Sequence, residues 1–179
     1  TYNLFNVTMR RMGIDFTFIA PDCSDEELAA AFRPNTKLVF GESLCNPSLK
    51  ILDIERFAQA AHDHQVPLIV DNTFPTPINL RPLEHGADVV IHSTTKYMDG
   101  HATSVDWAAA GKYPELTTPD TSYHGVIYTE AFGEAAYLTK ILAQLMRDLG
   151  AIPSPHNSYL LNIGLETLHL RMERHCRNA

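Results

Sequence analysis

Short apolar runs alternate with helix-forming stretches through the first half of this chain, and that alternation narrows the possible folds more than any other feature. Ile14 to Ile19, Lys37 to Phe40, Pro67 to Val70 and Asp88 to Ile91 are short, β-branched or aromatic in character, and read as strands. Between them, Asp25 to Arg33 has Ser24 and Glu27 at capping-box spacing, and Ile54 to His64 places Ile54, Phe57, Ala58 and Ala61 on one helical face. Strands that are apolar throughout, rather than at every second position, are those covered on both faces. The expected fold is α/β, a mostly parallel sheet flanked by helices. Ligands of such sheets bind beyond the carboxyl ends of the strands.

The second half reads differently. A loop-like stretch rich in Pro, Thr, Tyr and Gly runs from Lys112 to Gly125, and two long helices are expected after it. The first spans about Glu130 to Leu149, closed by Gly150 with Pro153 just beyond. The second opens with Ser154 as N-cap and Pro155 at the first helical position, and continues through Leu160, Leu161, Leu165, Leu168 and Met172. No internal repeat, low-complexity tract or linker interrupts the chain, so a single domain is expected.

Composition removes several classes of partner. The net charge is -7 and the 14 Lys and Arg are scattered, so no basic stripe exists for a nucleic-acid backbone. No apolar run approaches the roughly 20 residues that cross a bilayer, and the opening Thr1-Tyr2-Asn3-Leu4-Phe5 lacks the layout of a signal peptide. Neither a membrane nor a nucleic acid is an expected partner, and a cytoplasmic location is. Cys23, Cys45 and Cys176 are widely spaced with no Cys-x-x-Cys pair, which fits reduced thiols and no zinc site. His169, His175 and Cys176 stand on an amphipathic helix and are expected to pack rather than to bind metal. Cys45 reads as a small buried hydrophobe, and Trp107 and Tyr123 as core or interface aromatics or the lining of a substrate mouth.

Chemistry concentrates between Asn46 and Lys96. Asp71 closes the run Pro-Leu-Ile-Val-Asp-Asn-Thr, so a carboxylate stands where an apolar strand emerges, and the next strand ends in His92-Ser93-Thr94-Thr95-Lys96. Taken singly, the carboxylate is a common turn former and the Ser-Thr-Thr-Lys run a common solvated turn. A nucleotide P-loop is excluded because its glycines do not precede Lys96, and no Gly-x-Gly-x-x-Gly follows any expected strand. Together, an amine, a carboxylate and hydroxyls at adjacent strand ends meet the needs of pyridoxal 5'-phosphate. Its aldehyde takes a lysine amine, its ring nitrogen a carboxylate, and its phosphate hydroxyl and N–H donors.

Val70-Asp71-Asn72-Thr73, the run Ala87-Asp88-Val89-Val90-Ile91-His92-Ser93-Thr94-Thr95-Lys96-Tyr97 and Gly100-His101 resemble the signature of the Cys/Met-metabolism family of pyridoxal-phosphate enzymes. The resemblance extends to Glu42-Ser43 and Asn46-Pro47 upstream and to Leu170-Arg171-Met172-Glu173-Arg174-His175-Cys176 downstream. It implies the large domain of a fold type I PLP-dependent transferase. Lys96 would be the Schiff-base lysine, Asp71 the ring-nitrogen partner, Ser93 and Thr95 phosphate ligands, and Asn46 a partner of the cofactor's 3-hydroxyl oxygen. The segments Asp106-Trp107, Pro114 to Thr117, Ser122 to Gly125 and Thr129 to Gly133 resemble the O-acetylhomoserine sulfhydrylase branch.

That branch implies γ-replacement on O-acetyl-L-homoserine by sulfide, giving L-homocysteine for methionine, in a homotetramer. Methionine γ-lyase and cystathionine γ-synthase are the neighbouring readings, and a non-catalytic remnant of the fold is the reading of another class. Against the family pattern, residues 1–179 are expected to be the central part of the cofactor-binding large domain. The N-terminal segment with its ring-stacking tyrosine and the C-terminal small domain with its carboxylate-gripping arginine fall outside it. A glycine pair, a strand and a turn are missing between Val105 and Asp106, and a Cα separation there far above 3.8 Å would mark a break rather than a deletion.

Overall fold

The computed structural model describes residues 2–103, 107–111 and 116–179, with the backbone alone for 107–111. The Val105–Asp106 junction lies outside the described residues, and the side chain of Trp107 is likewise not described. The chain divides into two compact units, Thr1–Thr36 and Lys37–Ala179.

In the first unit a π-helical turn, Leu4–Thr8, runs into a 3-10 turn, Met9–Met12. Helix α1, Asp25–Ala31, follows the expected capping box: Ser24 Oγ accepts from Glu27 N, and Glu27 Oε2 accepts from Ser24 N. The expected strand Ile14 to Ile19 is not a strand, since it pairs with no ladder among the described residues. Its aromatic side chains pack locally instead, Phe16 stacking on Phe5 at 4.7 Å and Phe18 meeting Tyr2 at a tilt with centroids 4.8 Å apart.

The second unit is built on a four-stranded sheet in the order β1 (Val39–Glu42), β2 (Leu68–Asp71), β3 (Val89–Ser93) and β4 (Trp107–Gly111). The first three strands are parallel, as expected, and β4 is antiparallel to β3, with Ser93 opposite Trp107. The sequence reading lacks β4, whose Trp-Ala-Ala-Ala-Gly has weak strand propensity and is fixed by its neighbour's ladder. Leu68, Val70 and Val89 are fully buried, which is why β2 and β3 read as continuous apolar runs.

Helix α2, Ile54–Asp63, starts where Asp53 accepts from Arg56 N and buries the expected face, Ile54, Phe57, Ala58 and Ala61. It packs on β2. A single turn, α3 (Thr76–Asn79), follows β2. The long helix expected from Glu130 is broken: α4 (Tyr128–Phe132), a 3-10 turn, α5 (Ala136–Lys140), a π-helical turn and α6 (Arg147–Leu149) take its place. Gly133 at φ 52° interrupts it, whereas Gly150 at φ 71° ends it as expected. Ser154 caps α7 (Pro155–Glu166) by accepting from Asn157 N, and Pro155 opens it. Thr167, at φ -105° and ψ 2°, separates α7 from α8 (Leu168–Asn178), so the second expected helix is two. No helix among the described residues is long and apolar enough to cross a membrane.

Candidate functional site

Parallel strands in register bring their carboxyl ends to one edge of the sheet. Glu42 lies opposite Asp71, and Asp71 opposite Ile91, two residues before the end of β3. Asp71 therefore ends β2 beside the strand that leads through Ser93 to Lys96.

The Asp71 carboxylate is half-buried and is held through Thr73. Its Oδ1 accepts from Thr73 N at 3.0 Å and from Thr73 Oγ1 at 2.5 Å, and Thr73 Oγ1 in turn accepts from Ser93 N at 2.8 Å. One hydroxyl thus ties the end of β2 to the end of β3. The Asp71 Oδ2 atom carries no hydrogen bond among the described residues, so the second oxygen is left for a ligand donor. Beneath it, buried Asn72 donates from N to Ile91 O at 2.9 Å and from Nδ2 to Leu80 O at 2.8 Å, and its Oδ1 accepts from Ser43 Oγ at 2.8 Å. A buried polar network satisfied in this way fixes backbone geometry.

Beyond β3 the chain turns at once. Lys96 N donates to Ser93 O at 3.2 Å and Gly100 N to Lys96 O at 2.8 Å. Ser93 and Thr95 are half-buried and Lys96 is exposed. The Lys96 amine has no hydrogen bond or ion pair among the described residues. His92 and Thr94 flank Ser93 and are buried, and His92 Nδ1 and Thr94 Oγ1 have no hydrogen-bond partner among the described residues. Burial holds the His92 imidazole below its usual range, against the opposing pull of the Asn72 backbone and the Asp71 charge.

Asn46 is exposed on the loop after β1, its N–H donating to Glu42 Oε2 at 3.4 Å. A bridge between Leu44 and Ile51 closes that loop at its base. The strand ends thus gather Asp71, Ser93, Thr95 and Lys96, with Asn46 on the loop after β1.

Helix α8 packs on the loops that carry these residues. The His175 ring meets Tyr97 edge-on at 5.2 Å, and Asn79 Nδ2 donates to Cys176 Sγ at 3.3 Å. Met98, Leu168 and Met172 form a buried cluster with Tyr97 and Leu161 around them. No group of His, Cys, Asp and Glu among the described residues could hold a metal ion. Tyr123, expected as a core or interface aromatic or the lining of a substrate mouth, donates to Ala143 O at 3.2 Å and has the Arg147 guanidinium over its ring at 5.5 Å.

Two residues that sequence reasoning did not single out prove central. Thr73 follows Asp71 by two positions, the spacing of an Asx turn, but its bond to Ser93 N comes from the far strand. Arg171 lies 74 positions beyond Tyr97, whose carbonyl it grips, and no local pattern announces it.

The donor set fits a pyridoxal phosphate: a carboxylate with a free oxygen, an amine, and two hydroxyls on one turn. Comparison with known proteins agrees. The sequence model of the Cys/Met metabolism PLP-dependent enzymes matches residues 1–179. A homocysteine synthase of Schizosaccharomyces pombe is 46% identical over 191 residues, covering all of this chain and 44% of that protein. An O-acetyl-L-homoserine sulfhydrylase of Leptospira meyeri is 41% identical over 198 residues, again covering all of this chain and 44% of the relative. A crystal structure from Campylobacter jejuni, provisionally assigned as an O-acetylhomoserine (thiol)-lyase and carrying N'-pyridoxyl-lysine-5'-monophosphate, superposes with a TM-score of 0.92 at 36% identity. It is matched over 100% of this chain and 46% of its own. The chain therefore spans less than half the length of the curated relatives it matches.

Proposed function

Because this chain belongs to the Cys/Met metabolism family of PLP-dependent enzymes, we propose that it supplies the central part of the cofactor-binding large domain of an O-acetyl-L-homoserine sulfhydrylase. The reaction is replacement of the acetate on Cγ of O-acetyl-L-homoserine by sulfide, with L-homocysteine and acetate as products. What carries the reading is the bridge Asp71–Thr73–Ser93, which keeps the carboxylate in register with the turn that bears Lys96. The names of the relatives support the substrate. An alignment with the fission-yeast relative longer than the chain itself supports a shortfall of residues, in keeping with a missing segment between Val105 and Asp106.

When bound, pyridoxal 5'-phosphate supplies an aldehyde that captures amines and a ring that accepts electron density. Lys96 would hold that aldehyde, and its side-chain amine, when free, would take the proton from the substrate Cα. Asp71 keeps a proton on the ring nitrogen through its unpaired oxygen, an electrostatic task that matters most as negative charge builds in the transition state. Ser93 and Thr95 donate to the phosphate, and Asn46 to the ring's 3-hydroxyl oxygen. Thr73 orients Asp71 rather than touching the cofactor. A homotetramer in the cytoplasm completes the reading.

The test is made on the full-length protein. Lys96→Ala should remove the visible absorbance of the bound cofactor and lower turnover by about a thousandfold or more. A retained band in that variant would remove Lys96 as the anchor. Product analysis with O-acetyl-L-homoserine plus sulfide, against methionine alone or cysteine as the thiol, separates this activity from a methionine γ-lyase or a cystathionine γ-synthase.

A further inference from the structure

The reactive amine of Lys96 is exposed and receives no side-chain support among the described residues, so its place is set by its backbone. That backbone bonds to Ser93 O and Gly100 N, and the two residues that follow it are gripped by one guanidinium. Arg171, on α8, donates from Nη1 to Tyr97 O at 2.5 Å and from Nη2 to Met98 O at 3.3 Å. The same Nη2 donates to Gly164 O at 2.6 Å, and Nε donates to Thr167 Oγ1 at 3.1 Å. A single planar fork therefore joins the two residues after Lys96 to the end of α7.

Two glycines make the approach possible. A Cβ on Gly164 would stand 2.3 Å from Asp99 O and 2.6 Å from Met98 O, so α7 lies directly on the loop backbone. A Cβ on Gly100 would stand 2.6 Å from Arg171 Nη1, at a position whose φ of 74° already disfavours any other residue. Asp99 is buried and accepts from Thr103 N at 2.6 Å and Thr103 Oγ1 at 2.8 Å, so the loop is pinned at its exit as well. None of these contacts touches the residues that would hold the cofactor.

We infer that Arg171 is a positioning residue for Lys96: by clamping the Tyr97 and Met98 carbonyls onto Gly164, it fixes where the Lys96 amine stands relative to Asp71 and the Ser93–Thr95 turn. The inference rests on the reading that Lys96 anchors the cofactor. Lysine at 171 would keep the charge but could not span the separate carbonyls with one rigid fork. Alanine at 164 would push the same loop from the other side.

The experiment compares two ligands on the full-length protein. Pyridoxal 5'-phosphate needs the lysine, whereas pyridoxamine 5'-phosphate offers the same ring and phosphate and cannot link to it. In Arg171→Lys, Arg171→Met and Gly164→Ala the apparent affinity for the first should fall by about tenfold or more, while that for the second stays close to wild type. A merely structural arginine would weaken both ligands alike, and that result overturns the inference. So would unchanged affinity for pyridoxal 5'-phosphate in all the variants. Should Arg171→Met fail to fold, Arg171→Lys and Gly164→Ala give the same comparison, with thermal melting of the cofactor-free forms showing that they are folded. Borohydride reduction and peptide mapping of the wild type locate the linked lysine. A label on a residue other than Lys96 would sink the anchor itself, a failure distinct from equal weakening in the variants.

Discussion

Thr73 shows how much of the site depends on one hydroxyl. Its Oγ1 both donates to Asp71 Oδ1 and accepts from Ser93 N, so Thr73→Val removes two bonds without changing shape much. Leaving the Ser93 N–H without an acceptor should cost about 1–3 kcal/mol in chemical denaturation, with a parallel loss of cofactor affinity. Stability and affinity both equal to wild type would show that the bridge is dispensable. His92 makes a different demand. Its pKa in the native state lies below its unfolded value because burial penalises the cation. Above roughly pH 6.5 both states are neutral and its contribution is fully present. As pH falls through that value towards the lower native one, the unfolded chain takes up a proton first and stability declines, by at most about 1.4 kcal/mol per pH unit. Urea midpoints of the cofactor-free protein at mildly alkaline and mildly acidic pH should therefore converge for His92→Gln relative to wild type, and identical slopes would count against a buried neutral imidazole. The placement of Asp71, Ser93 and Lys96 at or just beyond the strand ends was legible because a polar residue closing an apolar run marks where the strand stops. Thr73 was half legible, its partner on the next strand being a product of sheet register that no single segment encodes.

Elements were readable where their signals are local. The capping box at Ser24 and Glu27, the buried face of α2 and the Ser154–Pro155 start of α7 all follow from residues within one or two turns of each other. Helix α2 offers a direct check. Its N-cap Asp53 accepts from Arg56 N at 3.1 Å, so Asp53→Ala should cost about 1 kcal/mol. Phe57→Ala, which empties the helix–sheet contact, should cost about 3–5 kcal/mol, and comparable losses from the two changes would mean that α2 is not held mainly by its buried face. Elements were misread where tertiary context decides. Ile14 to Ile19 has the composition of a strand but finds aromatic partners in its own unit, and Trp107–Gly111 has little strand character but a complete ladder beside it. The helix expected from Glu130 to Leu149 was continuous in pattern. Gly133 breaks it because a positive φ there stops the hydrogen-bond ladder.

At the scale of the whole molecule, apolar side chains on the later helices of the second unit lack cover. Leu142 is 59%, Leu149 78% and Tyr159 62% exposed on the helices and Ile152 66% on the loop joining α6 to α7, too many in one stretch of chain to be incidental. The chain also spans 44% of the length of the Schizosaccharomyces pombe homocysteine synthase it matches, so these side chains have candidate partners in the remainder of such a protein or in a second copy. Lys96 and Asp71 are held by bonds internal to the second unit, yet holding a cofactor tightly demands groups on every side of it, and the strand ends supply one side. Two outcomes follow for the isolated 179 residues. They should bind a hydrophobic dye strongly, because the exposed helix faces remain uncovered, and cofactor titration should show weak, substoichiometric uptake. In the full-length protein the dye signal should fall away, and cofactor at a hundred times its dissociation constant should stabilise the fold by about 2.7 kcal/mol through mass action. Tight one-to-one uptake by the isolated segment would mean that the Asp71–Thr73–Ser93 bridge and the Arg171 clamp suffice by themselves, and that the residues beyond this stretch serve substrate rather than cofactor.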